Sequence, residues 1–87
     1  MQVELLGIPR QRAGVAELEI EAATLGQLLD ALAARYPSLA DLFRAGRADR
    51  LGPFVAANLN GDRFVTDPRT RLAATDRILI LSADAGG

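Results

Sequence analysis

From Ala16 to Glu21 the chain alternates without a fault, with Ala16, Leu18 and Ile20 on one side and Glu17, Glu19 and Glu21 on the other. That period of two is what a strand needs when one face lies on a core and the other in water. A few residues later the period changes. Thr24 is placed as a helix N-cap, and Gln27 three residues on completes a capping box. Leu25, Leu28, Leu29, Leu32 and Tyr36 then recur at helical spacing as one apolar stripe. A one-faced strand beside a one-striped helix calls for a sheet that packs its inner face on that helix.

The rest of the chain supplies the sheet. Val3, Leu5 and Gly7 alternate with Gln2, Glu4 and Leu6 in a first strand, and the polar stretch from Pro9 to Gly14 reads as a long hairpin loop. Pro37 ends the helix. Ser38 with Asp41 is expected to cap a short second turn carrying Leu39, Leu42 and Phe43. Arg44 to Gly52 is charged and reads as a surface loop, with Arg44, Arg47 and Arg50 as solubilising charges. Val55, Ala57 and Leu59 alternate with Phe54, Ala56 and Asn58 in a third strand. Asn60-Gly61 supplies a type I′ turn into a short fourth strand, Arg63 to Thr66, which Asp67-Pro68 breaks. Ile78 to Leu81 forms the last strand. The order is β-β-α-β-β-β, an α+β roll with a mixed sheet on one main helix.

At 87 residues there is room for one domain. Residues 1–81 are assigned to it, and 82–87 to a flexible tail with nothing to pack. The chain has no cysteine and no histidine. It therefore lacks disulfides, a thiolate nucleophile, the usual neutral-pH base and the commonest metal ligand. Side-chain catalysis would rest on carboxylates, hydroxyls or Tyr36, so an independent enzyme is not expected. Glu17, Glu19 and Glu21 come from one strand and read as a solvated face rather than a metal site. A net charge of −1 without a basic run gives nucleic acid nothing to bind. No apolar stretch approaches the roughly 20 residues of a membrane span. The start Met1-Gln2-Val3-Glu4-Leu5 has no signal-peptide character, so the cytoplasm is the expected compartment. All ten basic residues are arginine, which fits either codon composition or a protein that avoids conjugating to itself.

The informative segment is the ending, Leu81-Ser82-Ala83-Asp84-Ala85-Gly86-Gly87. Six extended residues beyond the last strand reach about 20 Å. Two terminal glycines present a carboxylate without a Cβ near it, as a narrow channel would require. Ordering such a tail costs about 1–2 kcal/mol per residue. A partner enzyme with contact elsewhere on the domain is needed to offset that cost.

The chain resembles the MoaD/ThiS family of ubiquitin-like, β-grasp sulfur carriers over nearly its full length. The matching pieces are Val3–Leu6 with the loop Ile8-Pro9-Arg10-Gln11-Arg12-Ala13-Gly14, the helix opening Thr24-Leu25-Gly26-Gln27-Leu28-Leu29, and Ala34-Arg35-Tyr36-Pro37. They continue with Asn58-Leu59-Asn60-Gly61 and with Asp76-Arg77-Ile78-Leu79-Ile80-Leu81 before Gly86-Gly87. The resemblance implies that an E1-like, ATP-dependent enzyme adenylates Gly87, and that sulfide or a persulfide then displaces AMP to leave a thiocarboxylate. No cofactor would be held permanently; ATP belongs to the activating enzyme. Gly86 and Gly87 would be the reacting tail. Leu6 and Leu81 match positions that contact the activating enzyme, with Arg63, Phe64 and Ala85 as further contacts.

The sulfur acceptor is a second implied partner, with the molybdopterin synthase large subunit as the leading candidate. Ser82-Ala83 stands where the molybdopterin-synthase type often has Pro-Pro. Carriers for thiamine, cysteine or specialised metabolites are therefore alternatives. So are a protein modifier joined to lysines through Gly87 and an interaction domain with an inert tail.

Overall fold

Helix α2, Leu25–Arg35, begins where its cap requires. Thr24 Oγ1 accepts from the Gln27 amide at 3.2 Å, and Gln27 Oε1 reaches back to the Ala23 amide at 2.9 Å. The reciprocal box thus closes one residue before the cap. The computed structural model describes residues 1–43 and 51–83. Leu25, Leu28, Leu29 and Leu32 are fully buried, and burying each contributes roughly 1.5–3 kcal/mol. Tyr36 is only half-buried at the helix end, where the Arg35 guanidinium stands over its ring.

The helix stripe packs on a five-stranded mixed sheet of order β2-β1-β5-β3-β4. The strands are β1 (Gln2–Leu5), β2 (Glu17–Glu19), β3 (Val55–Leu59), β4 (Arg63–Val65) and β5 (Arg77–Ser82). β1 and β5 pair in parallel at the centre, Val3 opposite Ile78 and Leu5 opposite Ile80. The remaining pairs are antiparallel. This is the β-grasp arrangement, α+β in class. Val3, Leu5, Leu18, Val55, Ala57, Leu59, Val65, Ile78 and Ile80 are buried in the core. The period of two read from the sequence accounts for those in β1, β2 and β3, and the strand pairing places Val65, Ile78 and Ile80 on the same side.

The β3–β4 turn follows its sequence. Asn60 and Gly61 have φ of 59° and 70°, and the Asp62 amide donates to Leu59 O. Asp62 is an extra residue before Leu59 pairs with Arg63.

Four local expectations are corrected. The stretch Pro9–Gly14 is not an open loop: Ile8–Ala13 forms a short helix, α1. Pro9 sits in the first turn, where its lost N–H is not missed. Gly14, at φ 78°, caps the other end by donating to Arg10 O. Ser38 and Asp41 do not cap the following turn. Pro37–Leu42 is a 3-10 helix without a side-chain cap. Ser38 Oγ instead donates to Arg12 O, and the Arg12 guanidinium donates to the Asp41 carboxylate in an ion pair, a hydrogen bond that is the main cause lowering the Asp41 pKa. These contacts fasten α1 to the 3-10 helix, and Leu39, Leu42 and Phe43 are buried as expected.

Within the expected loop from Arg44 to Gly52, Arg44, Arg47 and Arg50 lie outside the described residues. Leu51 is buried rather than exposed. Finally, β5 continues through Ser82, which is buried and not a free tail residue.

Candidate docking face and tail root

Strand alternation divides the named residues between two faces of the sheet. The outer face has Gln2 and Glu4 from β1, Leu79 and Leu81 from β5, Ala56 and Asn58 from β3, and Phe64 from β4. One row crosses it as Glu17, Glu4, Leu79, Asn58 and Phe64. The next row toward the end of β5 is Leu6, Leu81 and Ala56, since Leu81 pairs with Ala56 and the Leu6 amide donates to Ile80 O at 3.0 Å.

Leu6 and Leu81 are therefore brought together, as expected, with Leu6 exposed and Leu81 half-buried. Phe64 is 65% exposed one row away on the same face. Arg63 is not with them. It pairs with inward-facing Leu59 and so takes the opposite parity to Phe64. Its charge acts instead on Asp76. Ala85, Gly86 and Gly87 lie outside the described residues.

The structure adds two apolar residues to the candidate face. Leu79 lies between Glu4 and Asn58 on the outer side of β5. Phe54, just before β3, is 55% exposed, and its carbonyl accepts from the Ala83 amide at 2.8 Å. Both belong to alternations visible in the sequence, where Phe54 falls opposite to Val55 and Leu79 opposite to Ile78 and Ile80. Leu6, just after β1, and Phe54, just before β3, thus adjoin the two strands that flank the end of β5.

The other end of β5 is polar. The Glu4 carboxylate and the Arg77 guanidinium form an ion pair across the outer face. They border a depression of about 250 Å³ that Asn58, Asn60, Gly61 and Leu79 also line. Asn58 Oδ1 is buried without a hydrogen-bond partner among the described residues. Asp76 is fixed by its own contacts: it accepts from the Ala73 amide at 2.7 Å and from Asn60 Nδ2 at 2.9 Å. Asn60 Oδ1 in turn accepts from the Arg77 amide at 2.7 Å. The Ala73 amide is the main cause that lowers the Asp76 pKa, with Asn60 and Arg63 adding to it.

Glu17, Glu19 and Glu21 are exposed, and among the described residues no group of three acidic, histidine or cysteine side chains could hold a metal ion. No helix among the described residues is long and apolar enough to cross a membrane. This face thus gathers exposed and half-buried apolar side chains, Leu6, Phe64, Leu79 and Leu81, beside the end of β5.

Comparison with known proteins agrees with the fold and the family expected. The ThiS family matches residues 3–87. Among curated proteins, no sequence matches. The chain is similar to the small archaeal modifier protein 1 (SAMP1) of Methanosarcina acetivorans, at 26% identity and TM-score 0.80, over 99% of this chain and 94% of that one. It is similar to CysO of Mycobacterium tuberculosis, at 26% identity and TM-score 0.77, over 94% and 97% of the two chains. A putative molybdopterin converting factor, subunit 1, of Pyrococcus furiosus aligns at 25% identity and TM-score 0.75, over 93% of each chain.

Proposed function

The chain belongs to the ThiS family, and on that premise we propose that it carries sulfur as a thiocarboxylate on Gly87. The observation that carries this reading is the placing of the tail root. β5 delivers Ser82 and Ala83 to the rim of the sheet between Leu6 and Phe54, and the sequence then runs Asp84-Ala85-Gly86-Gly87. A carboxylate is a poor acyl donor because its leaving group is poor. An E1-like enzyme would overcome this by letting the Gly87 carboxylate attack the α-phosphorus of ATP, which expels pyrophosphate and leaves an acyl-adenylate. Sulfide then attacks the acyl carbon, AMP departs, and the thiocarboxylate remains. This chain's part is to dock and to present the tail; ATP is held by the partner, in the cytoplasm where ATP is available.

The sulfur would pass to an acceptor enzyme. The molybdopterin synthase large subunit is the specific acceptor we favour, supported by the likeness to the Pyrococcus furiosus subunit. A second reading, conjugation of Gly87 to lysines of other proteins, is supported by the likeness to SAMP1. Intact mass after incubation with the activating enzyme, ATP and sulfide tests the carrier reading. The expected result is the gain from replacing one oxygen by sulfur, and an unchanged mass contradicts it. Covalent adducts from cells that withstand denaturant would favour the modifier reading instead.

A further inference from the structure

The last inward-facing residue of β5 is polar. Ser82 follows Ile78 and Ile80 on the core side and is 7% exposed, the one polar side chain among the described residues that is buried. Three contacts hold it. Its backbone pairs with Val55 on β3. Its Oγ accepts from the Ile8 amide at 2.8 Å. Gly7 lies against it so closely that a Cβ there would come within 2.3 Å of that oxygen.

The chemistry of this contact is specific. The Ile8 amide is one of the first donors of α1, which have no partner inside the helix. β1 ends at Leu5, and the bond from the Leu6 amide to Ile80 O is the last backbone bond that this segment gives β5 among the described residues, so the ladder does not reach Ser82 on this side. Gly7 makes the turn from β1 into α1 at φ 69°, a left-handed conformation that other residues adopt at a cost. The hydroxyl therefore replaces the missing ladder bond, and the glycine leaves the space for it. α1 is itself held by the contacts of Arg12 with Ser38 and Asp41, so the grip rests on a fixed support.

We propose that the contact between the Ser82 hydroxyl and the Ile8 amide, seated against Gly7, is a positioning device that fixes where the tail leaves the domain. Ser82 is a positioning residue and takes no part in the acyl chemistry. It holds the strand end, so that the chain beyond Ala83 starts from one place relative to Leu6, Leu81 and Phe54. Each residue released from the strand end must be ordered again before Gly87 can reach its site, and ordering one backbone disfavours that state by roughly 5- to 30-fold. On the proposed reading the sheet face docks and the tail inserts, so the loss falls on kcat and not on KM. The inference rests on the carrier function proposed above.

The test compares the full chain with Ser82→Ala and Ser82→Thr, the latter retaining the hydroxyl. Amide exchange at Ile8 and Ala83 reads the anchor without any enzyme. Thiocarboxylate formation, well below each melting temperature, gives kcat and KM. Ser82→Ala should speed exchange at both amides and lower kcat by about 5- to 30-fold with KM nearly unchanged. Ser82→Thr should restore both towards the parent. A purely structural serine would lower the melting temperature and leave kcat of the folded protein alone. Unaltered exchange in Ser82→Ala, or unaltered kcat in an active system, overturns the inference. A parent chain that acquires no sulfur sinks the carrier reading instead, and the exchange result still judges the anchor.

Discussion

Ile80 and Leu81 are neighbours in one strand with side chains of almost the same chemistry, yet they belong to different parts of the molecule. Ile80 is fully buried opposite Leu5 and Ala57. Leu81 faces outward beside Leu6 and Ala56 and is half-buried. The inner face is apolar along β1, β3 and β5 as far as Ile80, with Ser82 at the end of β5 and exposed Arg63 on the edge strand as its polar members. The outer face has exposed Leu6 and Phe64, half-buried Leu79 and Leu81, and an acceptor on Asn58 without a partner among the described residues. An unsatisfied buried acceptor costs about 1–3 kcal/mol. The same strand thus supplies the core with one set of side chains and, on the proposed reading, a surface for a partner with the other.

The largest effect that could break this division lies in the core. Leu28→Ala and Ile80→Ala should each cost about 2–5 kcal/mol in denaturant titration, since both side chains are fully buried. A loss under about 0.5 kcal/mol, the size of an ordinary surface change, would place the residue on the wrong face. Next comes the outer row. Leu81→Asp or Leu6→Asp should weaken binding to the activating enzyme by about 10-fold or more, as loss of a central contact residue does. The midpoint of unfolding should move far less than in Leu28→Ala. Unaltered affinity with unaltered stability would move the docking surface elsewhere.

A finer comparison sets Phe64 against its neighbour in the edge strand. Phe64→Ala should reduce binding, by less than Leu81→Asp, while Arg63→Ala should leave it alone because Arg63 has the opposite parity. Titration calorimetry of the two variants separates them, and equal losses would contradict the assignment of faces.

The smallest expected effect concerns the far end of β5. The Asp76 carboxyl is held below its ordinary pKa by the Ala73 amide, with Asn60 and Arg63 assisting. A depressed folded pKa contributes stability above the unfolded value, near about 3.9, and loses it as pH falls through the folded value. Asp76→Ala should therefore melt slightly lower at neutral pH and show a shallower acid loss. Parallel pH profiles for the two proteins would remove Asp76 from the account.

Long, regular patterns were legible in the sequence. The alternation in β2 and β3, the capped stripe of α2 and the Asn60-Gly61 turn each carry enough residues to specify a period or a φ. Helix α1 was hidden because six residues opened by proline leave no room for a 3.6-residue period, and because its polar side chains are used for contacts with a distant segment. Leu51 was missed because a lone leucine in a charged stretch carries no periodicity. Ser82 and Arg63 were legible in principle. Continuing Ile78 and Ile80 by one step points Ser82 inward, and Val65 fixes the parity of Arg63; the polar character of both side chains suggests the opposite placing. Leu79 and Phe54 teach the same lesson in reverse, as apolar residues whose parity puts them outside.

Sulfur carriage as proposed needs one group above all, the α-carboxylate of Gly87. The most direct measurement is intact mass after incubation with the activating enzyme, ATP and sulfide, run beside a melting curve, for the parent chain and for the chain with Gly87 deleted. The account predicts that the parent acquires sulfur and that the truncated protein acquires none, with the two melting curves almost superimposed because small terminal residues contribute little to folding. A truncated protein that still acquires sulfur, or one that unfolds, would contradict it.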